Sequence, residues 1–89
     1  MKAGSPVTIY TTPYCGYCTS AKRLLERLGI AFQEIDLSHD PALRAKLSSD
    51  NGGYRTVPMI YVEGAFIGGY DELFRLERAG RLQPLRKTG

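Results

Sequence analysis

The sequence is poor in three features that mark large classes of protein: cysteine, histidine and long apolar runs. Its 89 residues include two cysteines and one histidine. Two cysteines cannot form the disulfide framework of a small secreted domain, and together with His39 they fall short of the four ligands of a structural zinc site. No apolar run approaches the ~20 residues needed to cross a bilayer. We therefore expect no membrane contact.

The chain also lacks a concentration of charge of one sign. Its net charge is +3, and on one predicted helix Lys22, Arg23 and Arg27 alternate with Glu26, which is typical of a solvated face rather than of a nucleic-acid interface. No secretory signal is visible before the first strand. We predict a single cytoplasmic domain over residues 1–89, with an ordered core of about 6–86 and frayed ends at 1–5 and 86–89.

Short alternating segments predict a β-α-β-α-β-β-α order. The first β-α-β unit implies two parallel strands joined by a right-handed crossover, and Glu63-Gly64 is typical of a hairpin turn. Gly29 is expected to end the first helix, Asp40 and Pro41 to begin the second, and Gly80 to end the third. The predicted strands cover residues 7–10, 30–37, 59–62 and 65–67, the helices cover 16–28, 41–49 and 71–79, and one further turn covers 82–85.

The two cysteines flank Gly16-Tyr17 where the first strand gives way to the first helix. A thiolate is the attacking species in disulfide exchange, and the N–H groups and dipole of a helix N-terminus stabilise it. We expect Cys15 to be the exposed attacking thiol, and Cys18, inside the helix, to be more buried, less acidic and able to resolve the mixed disulfide. Lys22 is either a further support for the thiolate or a surface lysine.

Three motifs in this order carry a family resemblance: Cys15-Gly16-Tyr17-Cys18, Thr56-Val57-Pro58 and Gly68-Gly69-Tyr70-Asp71. The chain resembles a dithiol glutaredoxin of the small bacterial type over about residues 6–86. The resemblance implies an α/β thioredoxin-like fold with a four-stranded mixed sheet. It also implies a cis peptide bond before Pro58 and glutathione as the reductant.

The resemblance further implies a glutathione site. The γ-glutamyl end would meet Tyr70 and Asp71 at a helix N-terminus, and Arg44 would meet the glycine carboxylate. Three of these residues have a plainer alternative. Asp71 would be only a helix N-cap, Arg44 only a surface charge, and Tyr17 would have no specific role. The implied binding residues are Tyr17, Arg44, Thr56, Val57, Pro58, Gly69, Tyr70 and Asp71.

Three residues depart from the family pattern. Thr12 stands where many relatives carry a lysine, and Tyr70 stands where they carry cysteine or serine, so both bear on glutathione affinity. Gly16 replaces the usual proline between the cysteines. Relatives with this more flexible motif include some that dimerise around a [2Fe-2S] cluster, for which two Cys15 thiolates and two glutathione thiolates would supply the sulfurs.

The sequence therefore favours a glutathione-dependent thiol–disulfide oxidoreductase that acts on disulfide-bonded or glutathionylated proteins and is monomeric unless it binds a cluster. Two alternatives remain open at this stage. One is a dimeric [2Fe-2S] carrier or sensor, with Cys15 as the metal ligand. The other is an electron donor that is reduced by thioredoxin reductase and lacks a glutathione groove.

Overall fold

The computed structural model describes residues 5–85, which form a four-stranded mixed sheet and three helices. The strands lie in the order β2-β1-β3-β4. The predicted element order is confirmed. The strands are β1 (Val7–Thr11), β2 (Phe32–Asp36), β3 (Met59–Val62) and β4 (Ala65–Gly68), and the helices are α1 (Gly16–Leu28), α2 (Pro41–Asp50) and α3 (Tyr70–Arg78), followed by a 3-10 turn (Gln83–Leu85).

The central strand β1 is parallel to β2 and antiparallel to β3, so it joins the β-α-β unit to the hairpin. Ile9 of β1 lies opposite Ile60 of β3. The pairing of β3 with β4 is irregular between Ile60 and Tyr61. This sheet order brings the loop after β1, which leads to the cysteines, next to the loop that enters β3.

The two faces of the sheet bury separate apolar clusters, as strand alternation requires. On one face, Val7 and Ile9 of β1 pack with α1 and α3 through residues such as Leu25 and Leu73. On the other face, Met59 packs with Leu47 of α2. The fold therefore has α1 and α3 on one side of the sheet and α2 on the other.

Most element ends follow the sequence signals, but α2 extends one residue further, to Asp50, and α3 ends at Arg78 with Ala79 as its C-cap, so Gly80 lies just after the cap. Gly29 ends α1 with φ 72, and the Asp40 side chain accepts the Leu43 N–H at the start of α2. The second strand is shorter than predicted, because the Ile30 N–H still bonds to Leu25 as part of the helix end. The last helix begins one residue early with Gly69 as its N-cap, so the N-cap alternative for Asp71 is wrong.

The predicted ends are not tested, since residues 1–4 and 86–89 lie outside the described range. None of the helices within residues 5–85 combines the length and apolar composition needed to cross a bilayer.

We expect Gly29→Ala to destabilise the protein by about 1 kcal/mol, because an L-residue is strained in the left-handed conformation that ends α1. Chemical denaturation of the reduced protein measures the change. Ser20→Ala, at an exposed position inside the same helix, is the matched control and should have little effect. Equal stability of the two variants would contradict the assignment.

Candidate functional site

The N-terminus of α1 holds the Cys15 sulfur in a network of backbone groups. Cys15 is the N-cap residue, with extended backbone angles, and its Sγ accepts the Cys18 N–H at 3.1 Å. The same sulfur donates to the Val57 carbonyl at 3.6 Å. Cys15 is half-buried rather than exposed as predicted, because the loop before β3 covers one side of it. An N–H directed at the sulfur is the arrangement that stabilises a thiolate.

Cys18 differs from Cys15 in its surroundings. It is 2% exposed, inside the first turn of α1. Burial, followed by hydrogen bonding to the Cys15 sulfur, raises the pKa of Cys18 to about 12, against smaller lowering effects of the Thr12 backbone and Lys22. The sequence-based expectation of a buried and less acidic second thiol agrees with this geometry. The two sulfurs are therefore suited to different steps.

Lys22 is held by a carboxylate that sequence reasoning did not single out. Its Nζ lies 2.9 Å from Glu34 Oε2 on β2. The same oxygen accepts the hydroxyl of Thr11, which is buried, at 2.8 Å. The Lys22 ammonium and the Thr11 hydroxyl lower the pKa of Glu34. Lys22 is thus part of an ion pair between α1 and β2, and its charge reaches the cysteines only from a distance.

A cleft of about 260 Å³ opens beside the cysteines. The Val57-Pro58 peptide bond is cis, as the family resemblance implies. Within residues 5–85, no acceptor takes the N–H of Val57. The Val57 backbone therefore offers an unused donor at the cleft wall, next to the carbonyl that faces Cys15. The lining residues are Tyr17, Tyr54, Thr56, Val57, Pro58, Gly69, Tyr70, Asp71 and Glu72.

The N-terminus of α3 forms the far wall of this cleft. The Gly69 N–H donates to Glu72 Oε1 at 2.8 Å, which closes the first turn. A Cβ on Gly69 would lie 2.8 Å from Tyr54 Oη and 3.3 Å from the Pro58 carbonyl. Glycine thus allows α3 to approach the Pro58 loop closely. The first-turn N–H groups suit a carboxylate, and the exposed Asp71 side chain suits an ammonium group.

The structure gathers seven of the eight predicted binding residues around the cleft. The exception is Arg44, whose Nη2 donates to the Arg55 carbonyl at 3.2 Å, so it supports the loop that precedes Thr56. Sequence reasoning missed two lining residues, Tyr54 and Glu72. The spacing of Glu72, three residues after the N-cap, is a capping signal that could have identified it. Tyr54 had no such signal, because its contact with Phe66 arises only in the fold.

No group of three or more His, Cys, Asp or Glu side chains within residues 5–85 is arranged to hold a metal ion. With Cys18 buried, one chain offers a single accessible thiol. A bridging cluster would need a second copy of the chain, and it stays a hypothesis drawn from the sequence.

Comparison with known proteins gives a consistent result. The family model described as Glutaredoxin matches residues 7–67. The chain is 50% identical over 80 residues to a protein named Glutaredoxin from Pseudomonas aeruginosa, which covers 90% of this chain and 94% of that protein. It is also similar to the buckwheat glutaredoxin–glutathione complex (TM-score 0.84, 36% identity, 91% of this chain and 76% of that chain). A further similar structure is the glutaredoxin from Brucella melitensis (TM-score 0.79, 44% identity, 99% of this chain and 95% of that chain).

We expect iodoacetamide at neutral pH to alkylate one cysteine of the folded, reduced protein rapidly. Cys18 should stay unmodified, because it is 2% exposed and this burial, the largest cause of its raised pKa, persists after Cys15 is alkylated. Intact-protein mass spectrometry measures the number of labels, and denaturation should expose the second site. Cys15→Ser should remove the rapid label. Rapid double labelling of the folded protein would contradict the difference between the sulfurs.

Proposed function

Because the chain belongs to the glutaredoxin family of thiol oxidoreductases, we propose that it uses glutathione to reduce disulfide-bonded and glutathionylated proteins. One observation carries the proposal. The Cys15 sulfur meets the Cys18 N–H on one side and the Val57 carbonyl on the other, at the edge of a cleft with an unused backbone donor. A peptide-like thiol can there pair with the Val57 backbone while its sulfur meets Cys15.

The first step is attack of the Cys15 thiolate on a substrate disulfide. The new bond joins Cys15 to one substrate sulfur, and the other substrate sulfur leaves as a thiolate. Forming this mixed disulfide removes the negative charge and the sulfur hydrogen bond of Cys15, which are two causes of the raised Cys18 pKa. Cys18 then gives up its proton and attacks the Cys15 sulfur, so that the Cys15–Cys18 bond forms. The substrate sulfur that was bound to Cys15 leaves as a thiolate and takes up the proton.

The Cys15–Cys18 disulfide formed in this way is reduced by two glutathione molecules, which end as glutathione disulfide. When the substrate is a glutathionylated protein, Cys15 attacks the glutathione sulfur and the protein thiolate leaves. A second glutathione then attacks the Cys15–glutathione disulfide, which frees Cys15 and forms glutathione disulfide. This shorter monothiol route does not require Cys18. We place both routes in the cytoplasm, where the thiol pool is kept reduced.

The α3 end of the cleft supports recognition of the γ-glutamyl group of glutathione. Its α-carboxylate fits the first-turn N–H groups, and its ammonium group fits the Asp71 carboxylate. Tyr17, on the cysteine side, offers an aromatic surface to the tripeptide. Arg44 supports the site through the Arg55 carbonyl, and its assignment to the glycine carboxylate stays a prediction.

We favour glutathione over thioredoxin reductase as the electron source because the cleft that a glutathione site needs is present, although Thr12 and Tyr70 depart from the family pattern. Tyr70 lines the cleft without closing it. The similar buckwheat protein was solved as a complex with glutathione. These observations favour a small peptide thiol as the reductant.

We expect Cys15→Ser to abolish reduction of a glutathionylated protein, since it removes the attacking sulfur. Cys18→Ser should keep much of this activity and lose reduction of protein disulfides, which need the resolving thiol. A glutathione, glutathione reductase and NADPH assay measures both reactions. Full activity of Cys15→Ser would disprove the assignment of the nucleophile.

We expect Asp71→Asn to raise KM for glutathione about fivefold with little change in kcat, because an exposed ion pair contributes up to about 1 kcal/mol to binding. Glu77→Gln, which removes an equal charge from the same helix, is the matched control and should leave KM unchanged.

Replacing glutathione and its reductase with thioredoxin reductase in the assay decides which of the two is the electron source. Faster turnover with thioredoxin reductase would contradict the proposal.

A further inference from the structure

An aromatic stack leaves the cleft and continues along the exposed side of α3. Tyr17 stacks on Tyr70 with ring centroids 6.1 Å apart and an interplanar angle of 28°. Tyr70 stacks on Phe74 at 6.0 Å and the same angle. The Arg78 guanidinium lies over the Phe74 ring, 5.8 Å from its centroid. We call Tyr17, Tyr70, Phe74 and Arg78 the aromatic ladder.

The helix spacing explains why the ladder is continuous. Tyr70, Phe74 and Arg78 are successive i, i+4 positions, which lie one above the other on one face of an α-helix. The ring separations fall within the range of attractive offset stacking. Tyr17 joins the stack from α1, because α1 and α3 pack on the same side of the sheet. Each ring is thereby held in place before a ligand arrives.

The ladder is open to solvent and begins at the reaction site. Tyr17 is 65% exposed and Phe74 is 37% exposed. Tyr17 and Tyr70 also line the cleft, whereas Phe74 and Arg78 do not. A tripeptide in the cleft contacts only the start of the ladder, so the outer half is available to a longer substrate.

We propose that the aromatic ladder is a docking surface for the polypeptide that flanks the reactive cysteine of a protein substrate, selecting an apolar side chain followed by an acidic one. The inference rests on the proposed function. The occupant is an extended acidic segment, with its apolar side chain on Tyr70 and Phe74 and its carboxylate on Arg78. The ladder is a specificity surface and takes no part in the chemistry.

The charge at the outer end of the ladder selects the acidic residue. No carboxylate within residues 5–85 forms an ion pair with Arg78. Glu77 is its neighbour in sequence, but adjacent helix residues do not face each other. Arg75, one turn before Arg78, is paired with Glu72 at 4.0 Å, so Arg78 is the arginine of α3 that is left for a substrate carboxylate. A guanidinium stacked on a ring keeps its N–H edge available, and a carboxylate fits that edge with two hydrogen bonds.

The length of the ladder sets the spacing of the substrate residues. Tyr70 and Arg78 are eight residues apart, or about 12 Å along the helix. An extended chain advances about 3.3 Å per residue. The acidic residue should therefore lie about four residues from the residue held at Tyr70.

Two glutathionylated peptides of 11 residues, both with blocked termini, test the inference. Each carries the modified cysteine at its centre and a leucine on either side of it. The first and last residues, four positions from the nearer leucine, are glutamate in one peptide and glutamine in the other. We expect kcat/KM of the wild-type protein to be about fivefold higher for the glutamate peptide, the scale of an exposed ion pair. Arg78→Gln should remove this preference. Lys46→Gln removes the same charge from α2, on the opposite side of the sheet, and should keep it.

A second pair of variants tests the apolar part of the ladder. Phe74→Ala should lower kcat/KM for both peptides, mainly through KM, and Phe74→Leu should restore much of the loss. Glutathionylated cysteine, which is too small to reach Phe74, should be reduced equally by the wild type and all these variants. This small substrate also shows that each variant is folded and active.

The outcomes separate the two proposals. No turnover of glutathionylated cysteine by the wild type would overturn the proposed function itself. Normal turnover with equal rates for the two peptides, or a preference that survives Arg78→Gln, would overturn the docking surface alone. Concentration-dependent dimers of the wild type that dissociate in Phe74→Ala would assign the ladder to a second copy of the chain and would also overturn the inference.

Discussion

The contact between the Cys15 sulfur and the two backbone segments around it is the constraint on which the site depends. Cys15 caps α1, and its sulfur accepts the Cys18 N–H of the first helical turn. The opposite side is closed by the Val57 carbonyl. These segments are 42 residues apart in sequence and meet because β1 and β3 are neighbours in the sheet. Any change that moves the loop before β3 therefore changes the surroundings of the sulfur.

The same local geometry separates the roles of the two cysteines. Cys15 sits at the helix end, where N–H groups have no partner within the helix. Cys18 lies one turn further along and faces the interior, where burial disfavours its charged form. The difference between the proposed attacking and resolving sulfurs thus follows from a single turn of helix. It does not require a nearby cation, and the charge of Lys22 is largely taken up by Glu34.

Helix α3 serves two regions of the surface. Its first turn, held by the Gly69 and Glu72 hydrogen bond, forms the far wall of the cleft. Its exposed face carries the outer half of the aromatic ladder. Tyr70 belongs to both regions, since it lines the cleft and stacks on Phe74. The residue that departs most in size from the family pattern therefore links the cleft proposed for a small thiol to the surface proposed for a larger substrate.

Local signals in the sequence were sufficient to predict the element order, the caps at Asp40 and Gly29, and the pair of cysteines at a helix N-terminus. These features depend on residues within one or two turns of each other, where propensity and capping chemistry act directly. The motifs at Thr56-Val57-Pro58 and Gly69-Tyr70-Asp71 indicated candidate binding residues only through family resemblance. Their convergence on one cleft could not be derived from the spacing alone.

Only the tertiary structure decided which distant groups meet. Three contacts join segments that are not neighbours in sequence. The Val57 loop partly buries Cys15, Lys22 pairs with Glu34, and Tyr54 lies in the cleft wall. Such contacts depend on sheet order and on the packing of both faces, which no short window of sequence specifies. The sequence by itself thus determined the chemistry of a thiol pair, and the fold determined what surrounds it.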